Sequence, residues 1–391
     1  MRLAYLTRFD VSDRAQVPAV GGAGYASYYI ARTLQKLGVS LQHVNGLTHN
    51  SSPAAWLTAA YYRNVFHQEY NIASNARNLK RQARQISHKL AAVDHEIILS
   101  RLVMPLAYLQ VDKPLVVWTD GSARGLFDFY PQLTNLCERS KRETLAMEQA
   151  ALDRCSLIIY SSDWAAHHAP DHIERHKIKV VPFGANCESD RTDAQIEEIA
   201  RMKPIQPCKL LFIGGAWNRK GGLVACQVAK ALSDSGYPTE LTVVGCQPEI
   251  PSEFRGVVKV LGFVDQARPE GQRSWSELMR ESHFLILPSK ADCSPHVLVE
   301  ANSFGLPCLT TNVGGIPTTI HDEVNGKLFG SDAPLREYRD FVVALLDDPQ
   351  RYRRFCLSSF REFQTRLNWA VGCDRVKTLM AEVLREQHQL V

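Results

Sequence analysis

No run of about 18 apolar residues occurs in the 391-residue chain, and the opening MRLAYLTRFDVSDRAQ contains no apolar leader core. Neither a membrane span nor a secretory signal is expected. The ten cysteines include no C-x-x-C pair and no regular spacing; this argues against a disulfide framework or zinc ribbon and favours reduced thiols. Net charge is small, 45 basic against 41 acidic side chains, too little to indicate a nucleic-acid binder. Neither H-E-x-x-H nor D-x-D is present, so no metal cofactor is expected. A cytoplasmic protein is expected, peripheral at most to the inner membrane face.

What is present is ordinary globular composition, 45% apolar and 22% charged, in a chain two to three times a typical domain length. Short apolar runs alternate with helix-length segments, the pattern of parallel sheets wrapped by helices. Strands are expected at Leu3–Thr7, Leu41–Val44, Ile97–Ser100, Leu115–Thr119, Leu157–Ser161 and Lys179–Pro182, with helices at Gly24–Lys36, 54–91, Arg139–Arg154 and Asp163–Ala169. A second set follows: strands Leu210–Gly214, Leu241–Gly245, Val257–Phe263, Phe284–Pro288 and Cys308–Asn312, with helices Gly222–Ser235, Trp275–Ser282 and His296–Phe304. The expected organisation is α/β: two doubly wound, Rossmann-like domains, 1–187 and 208–370, joined by a linker at 188–207 that holds one helix, Ala194–Met202. A helical tail begins near Leu335, and its last helix, 371–391, is expected to cross back to the first domain. Ligand is expected in a cleft between the carboxyl ends of the two sheets. The first 187 residues hold 21 basic against 15 acidic side chains and the remainder 24 against 26, so an anionic partner should meet the first half.

The most specific stretch is KADCSPHVLVEANSFGLPC from Lys290, directly after the apolar FLILPS. Asp292 and Glu300 stand eight residues apart, and Pro295 opens a helix whose amide end suits a diphosphate. Asp292 would lie beside those phosphates, where a sugar hydroxyl could donate to it, and Glu300 could accept from ribose hydroxyls. By itself, a D-x7-E spacing on a helix usually marks two solvated carboxylates; its position after a buried strand and before FGLP raises it above that.

The pattern resembles the E-x7-E signature of the retaining glycosyltransferases of family 4 and their GT-B relatives, with Asp292 in place of the first Glu. EANSFGLPCLTTNVGGIP, GGAWNRKGG (Gly214–Gly222) and LTVVGC (Leu241–Cys246) resemble that family's other blocks, together covering most of 209–330. The resemblance implies the GT-B fold, with two domains facing each other across a cleft. It implies a sugar moved from a nucleoside diphosphate sugar to a hydroxyl acceptor with retention. Asp292 would hold the sugar, Glu300 the ribose, and Lys220 with the backbone at Cys293, Ser294, Pro295 and His296 the diphosphate. Val264, past the Val257–Phe263 strand, joins the donor-contacting set. The family commonly has Arg where this chain has Gly215; Arg219 can supply that charge from the other end of the loop. The family's first-domain His is absent, and Asp120 in WTDG takes its place as a candidate. Alternatives within reach of these residues are a nucleotide-sugar epimerase on the same fold and a non-catalytic sugar-nucleotide-binding protein.

In the first half, Gly21-Gly22-Ala23-Gly24 lies too far past the first strand for a dinucleotide fingerprint, and no acid ends the second strand. Gly22 is instead expected in a loop near donor phosphate or acceptor, with plain helix entry as the alternative. His168, His172 and His176 would form a metal face on an unbroken helix, but Pro170 interrupts it, leaving a solvated surface. Segment 54–92 joins Trp56, Tyr61, Tyr62, Phe66 and Tyr70 to Arg77, Lys80, Arg81, Arg84 and Lys89. It reads either as contact with an anionic membrane or acceptor, or as a solvated helix face.

Overall fold

The computed structural model describes residues 1–17, 22–48, 52–204 and 206–389. The chain divides into two units, one of Met1–Pro18, Ala23–Pro182 and Gly372–Val391, the other containing Phe183–Val371.

The first unit is built on β1 (Arg2–Leu6), β2 (Ser40–Val44), β3 (Ile97–Ser100), β4 (Leu115–Thr119), β5 (Leu157–Tyr160) and β6 (Ile178–Val180). All pair in parallel in the order β2-β1-β3-β4-β5-β6. The central strands β3, β4 and β5 are buried throughout, which is why they read as unbroken apolar runs instead of alternating ones. Helix Trp369–Gln389 returns here: Lys377 Nζ donates to Leu37 O at 2.7 Å, and Val376, Leu379 and Met380 are buried.

The second unit holds β7 (Cys208–Ile213), β8 (Thr239–Val244), β9 (Val258–Gly262), β10 (Phe284–Leu287), β11 (Cys308–Thr311) and β12 (Gly326–Phe329), also parallel, in the order β12-β11-β10-β7-β8-β9. The sequence reading missed β12, whose GKLF is too short and too polar to register as an apolar run. It is recruited by pairing along β11, from Cys308 opposite Gly326 to Thr311 opposite Phe329.

One other expectation needs correction. Segment 54–91 is two helices, Pro53–Phe66 and Ala76–Ala91. His67 ends the first in the left-handed region, φ 53°, and Asn75 caps the second through its side chain, which accepts from Arg77 N. The helix expected within 188–207 is present as Asp193–Met202; it starts on a capping box between Thr192 and Gln195 and buries Ile196 and Ala200 in the core of the second unit. That stretch is therefore packed structure.

Candidate functional site

The order of the second sheet reverses between β7 and β10, so the connections leaving these adjacent strands run to opposite sides and open a crevice at their carboxyl ends. Two loops emerge there side by side, Gly214–Gly221 after β7 and Pro288–Pro295 after β10. They are tied by Lys290 N donating to Arg219 O at 2.8 Å.

Residues 72 apart in sequence meet at this point. The Lys220 ammonium donates directly to the Asp292 carboxylate. Arg219 Nη1 donates to Ala291 O at 2.6 Å and lies 3.7 Å from Asp292 Oδ2. Ser289 Oγ donates to the same oxygen at 3.5 Å, and Gly315 N donates to Asp292 O at 2.9 Å. Asp292 is only 5% exposed. A carboxylate at that depth is tolerable only when paired, and here two cations share it. The Arg219, Lys220 and Asp292 cluster carries one positive charge in excess, suited to an anion.

Glycine at 221 makes the arrangement possible. Its φ is +77°, and a Cβ there would stand 1.9 Å from Pro288 O, so no side chain fits between the loops. Gly215 is different: a Cβ would meet nothing nearer than Gly245 O at 3.7 Å. The missing family arginine is not excluded by space in the ligand-free loop.

After β10 the chain runs through Cys293, buried, and Ser294, whose Oγ donates to Cys293 O at 2.8 Å. Pro295 forms the N-cap of helix His296–Asn302. The His296 ring packs inside the unit, parallel to Phe183 at 5.6 Å, with its Nδ1 3.3 Å from Gly184 O. Its ring therefore has structural contacts within the second unit. Glu300 follows in the same helix, 6% exposed. Val264 lies beyond β9, partly buried against the second core. Sequence reasoning missed Ser289, a local contact three residues before Asp292, and Gly315, which reaches Asp292 only through the fold. Gly22 is the first residue of helix Gly22–Lys36, and Asp120 follows β4 in the first unit with its side chain exposed.

Residues 207–348 match the family of glycosyl transferases group 1. The matched stretch lies within the second unit. Curated relatives include a D-inositol 3-phosphate glycosyltransferase of Corynebacterium glutamicum (strain R), 24% identical over 62% of this chain and 60% of the relative. Another, of Catenulispora acidiphila, is 27% identical over 51% and 50%. The chain thus spans about half to three fifths of the length of these relatives. Among solved structures, a sucrose-phosphate synthase from Thermosynechococcus elongatus superposes with TM-score 0.68 at 14% identity, covering 98% of this chain and 99% of that one. Anabaena HepE in complex with UDP gives 0.64 at 14%, covering 98% and 100%. The two-sheet α/β fold is that of these two structures.

The histidine series is partly corrected. His172 and His176 face solvent, paired with Asp153 and Glu174, but His168 is half-buried against Trp164, ring centroids 4.9 Å apart. Among the described residues, no three His, Cys, Asp or Glu side chains gather as a metal site, and no helix is long and apolar enough to cross a membrane.

Proposed function

We propose that this chain is a retaining glycosyltransferase of family 4 type. It would move a sugar from a nucleoside diphosphate sugar to a hydroxyl acceptor, without a metal, on the cytoplasmic side of a membrane. The observation that carries the reading is the Arg219, Lys220 and Asp292 cluster at the β7/β10 reversal, inside the stretch that matches group 1 glycosyl transferases. In the reaction the acceptor oxygen bonds to the sugar's anomeric carbon while the bond from that carbon to the diphosphate breaks. The acceptor's proton passes to the departing phosphate. Charge builds on the diphosphate, where Lys220, Arg219 and the backbone of Cys293 to His296 stabilise it. Asp292 orients the sugar and Glu300 the ribose, so the protein's main contribution is placement and electrostatics. Asp120, Gly22, Gly215 and Val264 complete the proposed contacts. HepE is known with UDP bound, so a uridine donor is the first to try. The exposed helix Pro53–Phe66 and the basic helix Ala76–Ala91 offer the peripheral contact with anionic lipid.

A thermal-shift panel of UDP, GDP, ADP and their sugars tests this. A nucleotide at a hundred times its Kd stabilises the fold by roughly 2.7 kcal/mol. One base class is expected to respond, and no response across the panel would overturn the reading. Lys220→Ala and Glu300→Ala should weaken nucleotide binding, read by titration because Lys220→Ala also leaves the buried Asp292 with Arg219, 3.7 Å away, as its remaining cation. Asp292→Asn should lower kcat more than nucleotide affinity.

A further inference from the structure

At the end of the second sheet opposite the Lys220 and Asp292 loops lies a cavity of about 180 Å³. His283, the residue before β10, and Pro204, ahead of β7, line its sheet side, and Leu345 and Leu346 give it an apolar wall. Three cations face it, Arg201, Lys203 and Arg353, and among the described residues no Asp or Glu does. Lys203 and Arg353 are half-buried. Lys203 Nζ makes one hydrogen bond among the described residues, to Tyr352 Oη at 3.4 Å, and Arg353 Nε is buried with no partner. The groups around them are neutral. Tyr352 Oη donates to His283 O at 2.9 Å, and both ring nitrogens of His283 are engaged, by Lys209 N and Pro204 O. The Cys356 thiol that acts on Lys203 is pushed up by burial, so no thiolate stands in as counter-ion. Burial in turn holds the Lys203 ammonium below the usual lysine range.

A cation enclosed without a counter-ion lowers stability, and an anion bound beside it removes that loss. Two such cations share this cavity, so its complement is an anion. Size and wall narrow the choice. The cavity is below the roughly 300 Å³ at which pockets for drug-sized ligands begin, too small for a nucleotide. Leu345 and Leu346 call for apolar surface next to the charge, which inorganic phosphate lacks. We propose that this cavity binds a small organic monocarboxylate, its carboxylate between Lys203 and Arg353 and its hydrocarbon body against Leu345 and Leu346. The arginine fork and the lysine point charge both donate to carboxylate oxygens, and Arg201, exposed at the rim, adds to the field that draws the anion in. The site stands on the second unit alone and does not depend on the transferase reading, because the donor loops leave the other ends of β7 and β10.

The test uses the full chain and three probes followed by ligand-detected NMR titration: benzoate, benzyl alcohol as its neutral counterpart, and inorganic phosphate as the bare anion. Benzoate should bind and the other two should not. Arg353→Gln should weaken benzoate binding at least ten-fold and leave UDP binding as in the wild type. Lys203→Met removes the enclosed charge and keeps an unbranched apolar chain. It should abolish benzoate binding and raise the midpoint of denaturant unfolding of the ligand-free protein, whereas loss of a merely structural lysine would lower that midpoint. Phosphate binding in preference to benzoate overturns the carboxylate class. Benzyl alcohol binding as tightly as benzoate overturns the role of the cations. No benzoate binding, or benzoate binding unchanged in both variants, overturns the site. A parallel UDP titration of the wild type reports on the transferase reading separately, whichever way the benzoate result falls.

Discussion

Gly221 carries more of the site than its lack of a side chain suggests. It lies in left-handed space at the start of helix Gly222–Asp234, where the β7 loop passes closest to the β10 loop. Gly221→Ala adds a methyl that must push Pro288 away and must also hold φ near +77°. Both costs act together, so a loss of about 2 kcal/mol or more is expected by chemical denaturation, with weakened nucleotide binding as Lys220 shifts from Asp292. The same change at Gly215 meets open space and should cost little. Much of this was legible in the residues: GGAWNRKGG and KADCSPH marked their loops, and Lys220 and Asp292 were both singled out. Their direct ion pair was not legible, because nothing along the chain links positions 72 apart until two strands pair.

At the scale of elements, apolar runs predicted strands well wherever the strand is buried on both faces, as β3, β4 and β5 are. The reading failed where partners decide instead of pattern. Strand β12 exists because β11 offers an edge. The 54–91 segment is divided by capping at Asn71, His67 and Asn75, local chemistry that a periodicity count overrides too easily. The helix read at Ala194–Met202 is present as Asp193–Met202, and capping fixes its start: Thr192 accepts from Gln195 N, and Thr192 N donates to Gln195 Oε1 at 2.9 Å. Thr192→Ala removes the first bond, and a loss of about 1 kcal/mol is expected from denaturant unfolding. Thr192→Ser should restore most of it.

At the scale of the whole molecule, a buried group in each unit, Glu148 in the first and His283 in the second, responds to pH in the opposite sense to the other. Burial pushes the Glu148 carboxyl in the first unit up from 4.5 to about 7, against the pull of the Ala123 amide that donates to it at 2.7 Å. The unfolded chain ionises first, so stability from this group is full below about pH 4.5 and lost as pH rises through 7. His283 in the second unit is pushed down from 6.5 to about 4, chiefly by burial and then by Lys203. Its Nδ1 accepts from Lys209 N and its Nε2 lies 2.7 Å from Pro204 O, an arrangement for the neutral ring. Its contribution is full above 6.5 and lost as pH falls toward 4. Each displacement corresponds to on the order of 3 kcal/mol. Calorimetry should show stability of the first unit falling from about pH 4.5 to 7 and that of the second falling from pH 6.5 to 4. Glu148→Gln keeps an acceptor for Ala123 and should flatten the first trend alone; an unchanged trend would refute the assignment.

The sequence by itself determined the class of the fold, the number of parallel units and the two second-unit loops with their charged residues, because these follow from local pattern. Tertiary structure alone decided three things. It set the strand orders, and with them the β7/β10 reversal where the crevice opens. It joined Lys220 and Arg219 to Asp292. It also placed Lys203 and Arg353, unremarkable in sequence and 150 residues apart, on one cavity. Sheet pairing is a contact between distant segments, and a linear pattern holds no record of which strands will lie side by side.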